Sequence, residues 1–343
     1  MRTWHNLFTK SITLEGVFGA WEEFTKGKRK KSDVQVFGRH LEDNLFDLYH
    51  DLQSKTYKHG GYQAFFVRDP KMRHIHKACV GDRVVHHLVS KELEKVFDPT
   101  FFTHSYSCRK NKGTHKGVSA FGNFARKASR NNTSPLFVLK CDIKKFFASV
   151  DHHTLENLVE KRVKDEDFMW LIREIIRSFS SKERKREPGF GIPIGNLTSQ
   201  IFANIYLDPF DQFVKHELRV KYYIRYADDF VIISEDAKYL ENLIPKLGRF
   251  LEQTLKMSLH SRKVSISNYY LGVDFLGYVV FPHFVLPRTK TKRRIFRKMR
   301  EKDELVKLGK LTEDSLFQAA QSYLGYLSHA NAFKLSQKIE KML

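Results

Sequence analysis

The chain is poor in cysteine and has no apolar stretch long enough to cross a membrane. Its 343 residues include only three cysteines, and their spacing gives neither a paired disulfide framework nor a metal-binding cluster. We therefore expect a reducing, cytoplasmic location without a signal peptide or a membrane span. No internal repeat or low-complexity tract is present.

Acidic residues are also scarce relative to basic ones. The chain has 60 Lys and Arg against 39 Asp and Glu, a net charge of +21. This excess predicts a polyanionic partner and salt-dependent binding. Basic runs occur at residues 26–31, 182–186 and 288–300. In the last run Ile295 and Phe296 interleave with the charges, which suits a helix with one face on a core and the other on a nucleic-acid duplex. A solvated helix face is the alternative.

Two adjacent aspartates stand out in the motif Tyr226-Ala227-Asp228-Asp229. Apolar, β-branched or aromatic runs flank it at residues 222–225 and 230–233, which predicts a tight β-hairpin with carboxylates at or beside its turn. Carboxylates this close must be solvated or bind a cation, and Mg²⁺ prefers such oxygen ligands. An ordinary acidic turn is the alternative.

A third carboxylate, Asp142, follows the apolar run at residues 136–139, which predicts a buried strand. If that strand lies beside the hairpin, Asp142 and Asp228 could share two metal ions about 4 Å apart, an arrangement that serves phosphoryl transfer. The alternative role is a helix cap near His152. Asp151 suits that role better, which leaves Asp142 available for chemistry.

Several segments, in this order, resemble the reverse transcriptases of prokaryotic retroelements over residues of about 60 to 292. The resemblance implies an RNA-directed DNA polymerase with an α+β, right-hand fold of fingers, palm and thumb, whose palm is an antiparallel sheet backed by helices. The matching segments are 68–73 and 82–86 in the fingers, 142–147, 191–200, 226–229 and 255–263 in the palm, and 275–278 at the primer grip.

Three parts are expected along the chain. Residues 1–55 would form a basic helical N-terminal extension, because leucines recur at helical spacing from Leu41 to Leu52. Residues 56–284 would form the fingers and palm. Residues 285–343 would form a helical thumb, in which apolar residues from Leu316 to Leu327 follow one helix face.

The resemblance also implies roles for individual residues. Asp142, Asp228 and Asp229 would be catalytic, and Lys263 would act near the leaving pyrophosphate. Two Mg²⁺ ions, for which Mn²⁺ could substitute, would be held by Asp142, Ile143, Asp228 and Asp229.

Nucleotide binding would involve cations of the fingers and a steric gate. Lys71 and Arg73 would fold over the incoming triphosphate. Phe147 would exclude a ribose 2′-hydroxyl and so select deoxynucleotides, unless it is simply a core aromatic. Asn196 would present hydrogen-bonding groups to nucleotide or template. The remaining implied nucleotide-binding residues are Ile194, Gly195, Gln200, Tyr226 and Ala227, and the implied primer grip is Phe275, Leu276, Gly277 and Tyr278.

One segment suggests a subfamily. Ile194 precedes Gly195, and the segment ends Ser199-Gln200, which resembles the reverse transcriptases of diversity-generating retroelements. Residues 105–115 resemble the same group, whose cDNA is mutated mainly at template adenines. Glutamine at position 194 could hydrogen-bond the nucleotide or support its pocket, whereas isoleucine cannot, so low fidelity opposite adenine is expected.

Two other interpretations stay open. One is a defence-associated reverse transcriptase that uses a dedicated non-coding RNA. The other is an inactive RNA-binding module, against which the three aspartates argue. The expected partners are an RNA template, a DNA or RNA primer and dNTPs. A small basic accessory protein or a complex with non-coding RNA would be compatible with the charge, and no membrane partner is expected.

Overall fold

The structure is a computed structural model, and it describes residues 2–68, 71–181 and 189–343. The basic run at 182–186 and the pair Asp69-Pro70 lie outside the described residues. The fold is of the α+β class, as predicted. The helices are α1 (Leu7–Ser11), α2 (Leu14–Thr25), α3 (Ser32–Gly38), α4 (Leu41–Gln53), α5 (Val80–Phe97), α6 (Thr114–Ala128), α7 (Phe146–Ser149), α8 (His152–Glu160), α9 (Glu166–Arg177), α10 (Leu197–Gln212), α11 (Ala237–Leu255), α12 (Thr289–Lys307), α13 (Glu313–Leu327) and α14 (Phe333–Glu340).

Nine strands complete the described secondary structure, together with single 3₁₀ turns at Asp98–Thr100 and Tyr269–Leu271 and a π-helical turn at Phe213–Glu217. The strands are β1 (Tyr62–Arg68), β2 (Met72–Ala78), β3 (Phe137–Asp142), β4 (Tyr222–Tyr226), β5 (Asp229–Ser234), β6 (Ser265–Asn268), β7 (Val273–Phe275), β8 (Tyr278–Val280) and β9 (Val285–Pro287).

The chain divides into two compact units. Unit 1 contains Met1–Thr103, Ile143–Arg219 and Lys246–His260, and unit 2 contains His104–Asp142, Val220–Pro245 and Ser261–Leu343. Each unit is therefore built from segments distant in the sequence. One boundary between the ranges of the two units falls directly after β3, and another falls inside α11.

Helix α5 is central to unit 1, where it packs against α2 and α10. It buries one apolar face because its branched residues recur at three- and four-residue spacing. The N-terminal helices are amphipathic in the same way, and the predicted helix over Leu41–Leu52 is confirmed by α4, which buries Leu45, Leu48 and Leu52. The buried apolar residues of α5 include Val84, Val85, Leu88, Val89 and Leu93.

The β1–β2 hairpin is the exposed ribbon of unit 1. Its two strands pair antiparallel along their full lengths, and nearly all their side chains are accessible. A two-stranded ribbon needs anchoring, because alone it is marginally stable. Asp82 on α5 anchors the end of the ribbon at which β1 begins and β2 ends: it accepts hydrogen bonds from the Gly60 backbone N (3.1 Å) and the Cys79 thiol (3.0 Å). The Tyr57 hydroxyl donates to the same buried carboxylate at 2.7 Å.

Unit 2 contains a four-stranded antiparallel sheet in the order β4-β5-β3-β6. One sheet face packs against α6 and a second, three-stranded sheet of β7, β8 and β9. The layer is held by apolar burial, since alternate strand residues point into it. The sheet residues in this core are Val138, Ile224, Val231 and Ile233, joined by Leu136 just before β3, and the residues opposite include Val118, Phe121, Phe275 and Tyr278.

The C-terminal helices α12, α13 and α14 form a separate apolar cluster within unit 2. The predicted amphipathic helix over Leu316–Leu327 is confirmed by α13, and the basic run at 288–300 lies largely in α12, where Ile295 and Met299 are buried. Among the described residues, no helix combines the length and the apolar character that crossing a bilayer requires.

Candidate active site

The predicted acidic hairpin is present. Strands β4 and β5 pair antiparallel up to Tyr226 and Asp229, so Ala227 and Asp228 form a two-residue turn. Ala227 adopts a φ of +53°, which a residue with a Cβ rarely takes. Such a conformation costs roughly 1–3 kcal/mol, and strain of this kind is concentrated at functional sites. The turn holds Asp228 at the tip and Asp229 at the first position of β5.

Asp142 lies beside this hairpin, as predicted. Strand β3 pairs antiparallel with β5, and the last pair in register is Asp142 with Asp229. The three carboxylates are therefore gathered at one end of the sheet. The predicted cap role of Asp151 is also confirmed, because its carboxylate accepts a 2.8 Å hydrogen bond from the Thr154 backbone N at the start of α8.

The three carboxylates of this cluster repel one another. Burial, together with the negative charges of Asp228 and Asp142, raises the pKa of Asp229 to about 6. The Lys140 ammonium acts on this pKa in the opposite sense. The sheet end is thus a site where carboxylates are held together against their mutual repulsion.

Two lysines supply positive charge near the carboxylates. Lys263, in the turn before β6, places its Nζ 2.7 Å from Asp142 Oδ2. Lys140 lies two positions before Asp142 on β3, and its Nζ donates a 2.8 Å hydrogen bond to the Asp274 carbonyl. Sequence reasoning missed Lys140. The spacing could have predicted it, because residues two positions apart on a strand, such as Lys140 and Asp142, share a face.

The donor set fits a hard divalent cation. Carboxylate oxygens are the preferred ligands of Mg²⁺, and a cation would relieve the repulsion that raises the Asp229 pKa. In the described part of the chain, however, no three acidic, His or Cys side chains already form a closed metal cage. Asp142 is instead paired with Lys263. Ile143 is fully buried and aliphatic, so only its backbone carbonyl could contribute a ligand oxygen.

The predicted steric gate lies in unit 1. Phe147 is half-buried in α7, and its ring contacts Phe146 edge-to-face with centroids 5.3 Å apart. Phe146 is 1% exposed, so it is the core aromatic of the pair. The Phe147 carbonyl accepts a 2.8 Å hydrogen bond from the Ile192 backbone N, which ties the gate to the 191–200 segment. The Phe147 ring therefore remains accessible on a fixed backbone.

The 191–200 segment packs closely on the β1–β2 ribbon. Gly195 has a φ of +111°, and a Cβ there would lie 2.7 Å from Ile75 Cγ2, so glycine is required by both conformation and space. The Ile194 carbonyl accepts a 3.0 Å hydrogen bond from the His76 backbone N. The half-buried Ile194 is thus fixed against β2 by its main chain.

Asn196 differs from its predicted role. Its side chain accepts a hydrogen bond from the Ala78 backbone N (3.2 Å) and donates to the His76 carbonyl (2.7 Å). The residue is 2% exposed, so both ends of its amide bond β2 and do not face a nucleotide. Sequence alone could not identify these partners, because they lie more than 100 residues away.

The remaining predicted nucleotide contacts fall into both units. In unit 1, Lys71 and Arg73 are exposed at the start of β2, and Gln200 is exposed in the first turn of α10. In unit 2, the Tyr226 hydroxyl lies 3.2 Å from Thr114 Oγ1, at the start of α6. The lysine and arginine are thus positioned on the accessible ribbon, and Tyr226 packs partly into the core of its own unit.

The predicted primer grip is a second tight hairpin. Leu276 and Gly277 form the turn between β7 and β8 with φ values of +49° and +92°, as a type I′ turn requires. Phe275 and Tyr278 flank it and are buried. The accessible part of the motif is therefore the turn itself.

Helix α13 holds this turn in place. The Tyr326 hydroxyl donates a 2.6 Å hydrogen bond to the Gly277 carbonyl, and the Tyr278 hydroxyl donates a 2.9 Å hydrogen bond to the Tyr326 carbonyl. The two tyrosine rings stack with centroids 4.7 Å apart. The hairpin and the C-terminal helices are thus linked by Tyr278, which belongs to the predicted motif, and by Tyr326, which the motif did not include.

Comparison with known proteins identifies related chains. The profile of the family described as "Reverse transcriptase (RNA-dependent DNA polymerase)" matches residues 59–280. Protein YkfC of Escherichia coli is 26% identical over 242 residues, covering 61% of this chain and 63% of its own length. The group II intron-encoded protein LtrA of Lactococcus lactis subsp. cremoris is 22% identical over 306 residues, covering 69% of this chain and 49% of its own length.

A solved structure shares the fold. The telomerase of Candida albicans, determined with a TWJ fragment of telomeric RNA, superposes with a TM-score of 0.51 at 12% sequence identity. The match covers 87% of this chain and 61% of the telomerase chain. The chain spans less than two thirds of the length of each of these three proteins.

Proposed function

This chain belongs to the reverse transcriptase family, and on that premise we propose that it is an RNA-directed DNA polymerase that copies an RNA template into cDNA. The observation that carries the proposal is the pairing of Asp142 with Asp229 beside the Asp228 turn. The proposed substrates are dNTPs and a primed RNA.

The family resemblance suggests a role for each residue, and the position of each residue supports the proposal. Asp142, Asp228 and Asp229 would hold two divalent cations, which when bound polarise the attacking hydroxyl and the leaving phosphate oxygens. Lys263, beside Asp142, would donate a proton to the leaving pyrophosphate. Phe147 would bar a 2′-hydroxyl, and the Leu276-Gly277 turn would support the primer strand. The C-terminal helices would act as the thumb and extend the fingers and palm of residues 56–284.

Primer extension tests the activity directly. We expect the full chain, with Mg²⁺ and a primed RNA, to extend the primer with dNTPs and to stop when ribonucleotides replace them. Asp228→Asn should lower the extension rate by at least roughly 100-fold, since loss of a group that stabilises the transition state typically has this size. Asp47→Asn, on the exposed face of α4, is the matched control and should leave the rate unchanged. Equal rates for wild type and Asp228→Asn would contradict the proposal.

We propose further that synthesis is error-prone at template adenines, as part of a diversity-generating retroelement. The half-buried Ile194 supports this, because an alkyl side chain cannot make the hydrogen bond available to glutamine. Sequenced products should show errors concentrated opposite adenine, and Ile194→Gln should reduce them while total extension persists. An unchanged error spectrum would refute the role of Ile194. Accurate product would instead favour a defence-associated enzyme that copies a dedicated RNA.

A further inference from the structure

A long segment of the chain has no acidic residue. All 43 positions between Asp98 and Asp142 lack Asp and Glu, while eight of them are Lys or Arg. The 39 acidic residues of the protein all fall elsewhere. This segment includes α6, whose last turn carries Arg126 and Lys127. Within the segment no carboxylate offsets the positive charges, and Arg130 is paired with Glu235 from outside it.

The structure forms a groove from this segment. It has a volume of about 410 Å³ and lies entirely within unit 2, between α6 and the loop that precedes it. None of the residues that line it is acidic. We call it the α6 groove, and its lining residues are His104, Tyr106, Asn111, Lys112, Lys116, Ser119, Ala120, Asn123, Phe124 and Lys127.

Polar and cationic side chains follow one stripe of α6. Lys116, Asn123 and Lys127 are exposed and lie seven and then four residues apart, so they share a helix face. The stripe extends about 16 Å along the helix axis at 1.5 Å per residue. This length accommodates a few phosphate groups of a single strand, with an amine at each end of the stripe and an amide between them.

The floor of the groove is hydrogen-bonded to the sheet. The Tyr106 backbone N donates to the Arg225 carbonyl (2.9 Å), and the Arg225 backbone N donates to the His104 carbonyl (3.1 Å), so the loop extends the sheet edge beside β4. The His104 and Phe124 rings are 4.6 Å apart, and the Lys112 ammonium lies 5.3 Å from the Tyr106 ring centroid. A groove held by the sheet binds without first having to become ordered.

We infer that the α6 groove binds a single-stranded segment of RNA that lies outside the template–primer duplex. The lysines match a phosphodiester backbone, and the Asn and Ser side chains offer both donors and acceptors, which suit 2′-hydroxyls and unpaired base edges. None of the residues proposed above for catalysis, nucleotide binding or primer contact lines this groove. The inference therefore does not depend on polymerase activity.

The groove is also separate from the carboxylates in position. Thr114, at the start of α6, meets Tyr226 next to the acidic turn, whereas Phe124 lies beside Tyr222 at the opposite end of β4. The stripe of Lys116, Asn123 and Lys127 thus leads along β4 away from the turn. RNA held there would remain bound while the sheet end carries out chemistry.

Charge reversal on α6 tests the inference. The variant Lys116→Glu/Lys127→Glu keeps good helix formers at exposed positions. Its matched control, Lys238→Glu/Lys246→Glu, makes the same charge change at exposed positions of α11. Fluorescence anisotropy with a labelled, unstructured 20-nucleotide RNA, without dNTPs, gives Kd over a range of salt concentrations. A same-sequence DNA and a polyglutamate peptide serve as further probes, and thermal melting confirms that each variant is folded.

We expect the α6 variant to bind RNA roughly 5- to 30-fold more weakly than the α11 control, with the slope of log K against log salt reduced by about 1.4, because two phosphate contacts are lost. If the double variant does not fold, Lys116→Gln/Lys127→Gln should show a smaller loss in the same direction. Equal affinity of the α6 and α11 variants would overturn the inference. So would a loss equally large for DNA, or a loss confined to the acidic peptide, which would indicate a protein partner.

Discussion

The carboxylates Asp142, Asp228 and Asp229 repel one another. The repulsion is clearest at Asp229, because burial and its two acidic neighbours raise its pKa to about 6. The unfolded-state value is near 3.9. Between these pH values the folded state binds more protons than the unfolded state, so this group lowers stability as the pH rises through that window. Residues suited to cation binding thus destabilise the fold that presents them.

Asp229→Asn should therefore stabilise the protein while abolishing primer extension. Without divalent cations at pH 7.5, we expect the free energy of unfolding to increase by roughly 1–3 kcal/mol, because a tenfold change in proton affinity corresponds to about 1.36 kcal/mol. The gain should shrink as the pH falls from 6 toward 4, because wild-type Asp229 then becomes neutral. Urea unfolding in EDTA at pH 7.5 and pH 5 measures both effects. Asp47→Asn, which is exposed on α4, should show neither, and a loss of stability in Asp229→Asn at pH 7.5 would contradict the account.

Features of single residues could be predicted from the sequence where the residues that define them are neighbours in the chain. The acidic hairpin and the strand before Asp142 could be predicted, because alternation and flanking apolar runs define them locally. The partners of these groups could not be predicted in the same way. The ion pair of Lys263 with Asp142 joins residues 121 positions apart, and only the family resemblance singled out that lysine among 60 Lys and Arg residues.

Between elements, one asparagine joins α10 to the β1–β2 ribbon. Asn196 bonds the backbone of β2 at both His76 and Ala78, and it directly follows Gly195, which lies in close contact with Ile75. Helices such as α4, α11 and α13 could be predicted from apolar spacing alone. The contact between Asn196 and β2 could not be predicted. A polar residue before a helix is equally consistent with a helix cap, a ligand contact or a tertiary hydrogen bond.

Asn196→Ala should weaken this join. The substitution leaves the Ala78 N–H and the His76 carbonyl without their partner, and each unsatisfied buried group costs about 1–3 kcal/mol. We expect a loss of roughly 2–4 kcal/mol in the free energy of unfolding, measured by urea denaturation. Gln200→Ala, one turn further along α10 and exposed, is the control and should change stability by less than about 0.5 kcal/mol. If Asn196→Ala and wild type have equal free energies of unfolding, the hydrogen bonds of Asn196 to β2 do not contribute to stability.

Over the whole molecule, positive charge is distributed across several surfaces. It is present on the β1–β2 ribbon, along the α6 groove and on α12, and the net charge is +21. The sign of the partner could be predicted from composition alone. The places where nucleic acid would lie could not, because a basic run in the sequence does not reveal whether its side chains share one surface.

This distribution predicts a steep salt dependence that is independent of the catalytic carboxylates. For a primed RNA, the slope of log K against log salt should be about −4 or steeper, since each neutralised phosphate contributes roughly −0.7 to −0.9. Asp142→Asn/Asp228→Asn should show the same slope as wild type, because it removes acidic groups and no phosphate contact. Equilibrium binding between roughly 50 and 300 mM KCl, without dNTPs or divalent cations, measures both slopes. A nearly flat dependence would instead mean that apolar contacts dominate, and the excess of lysine and arginine would then require another explanation.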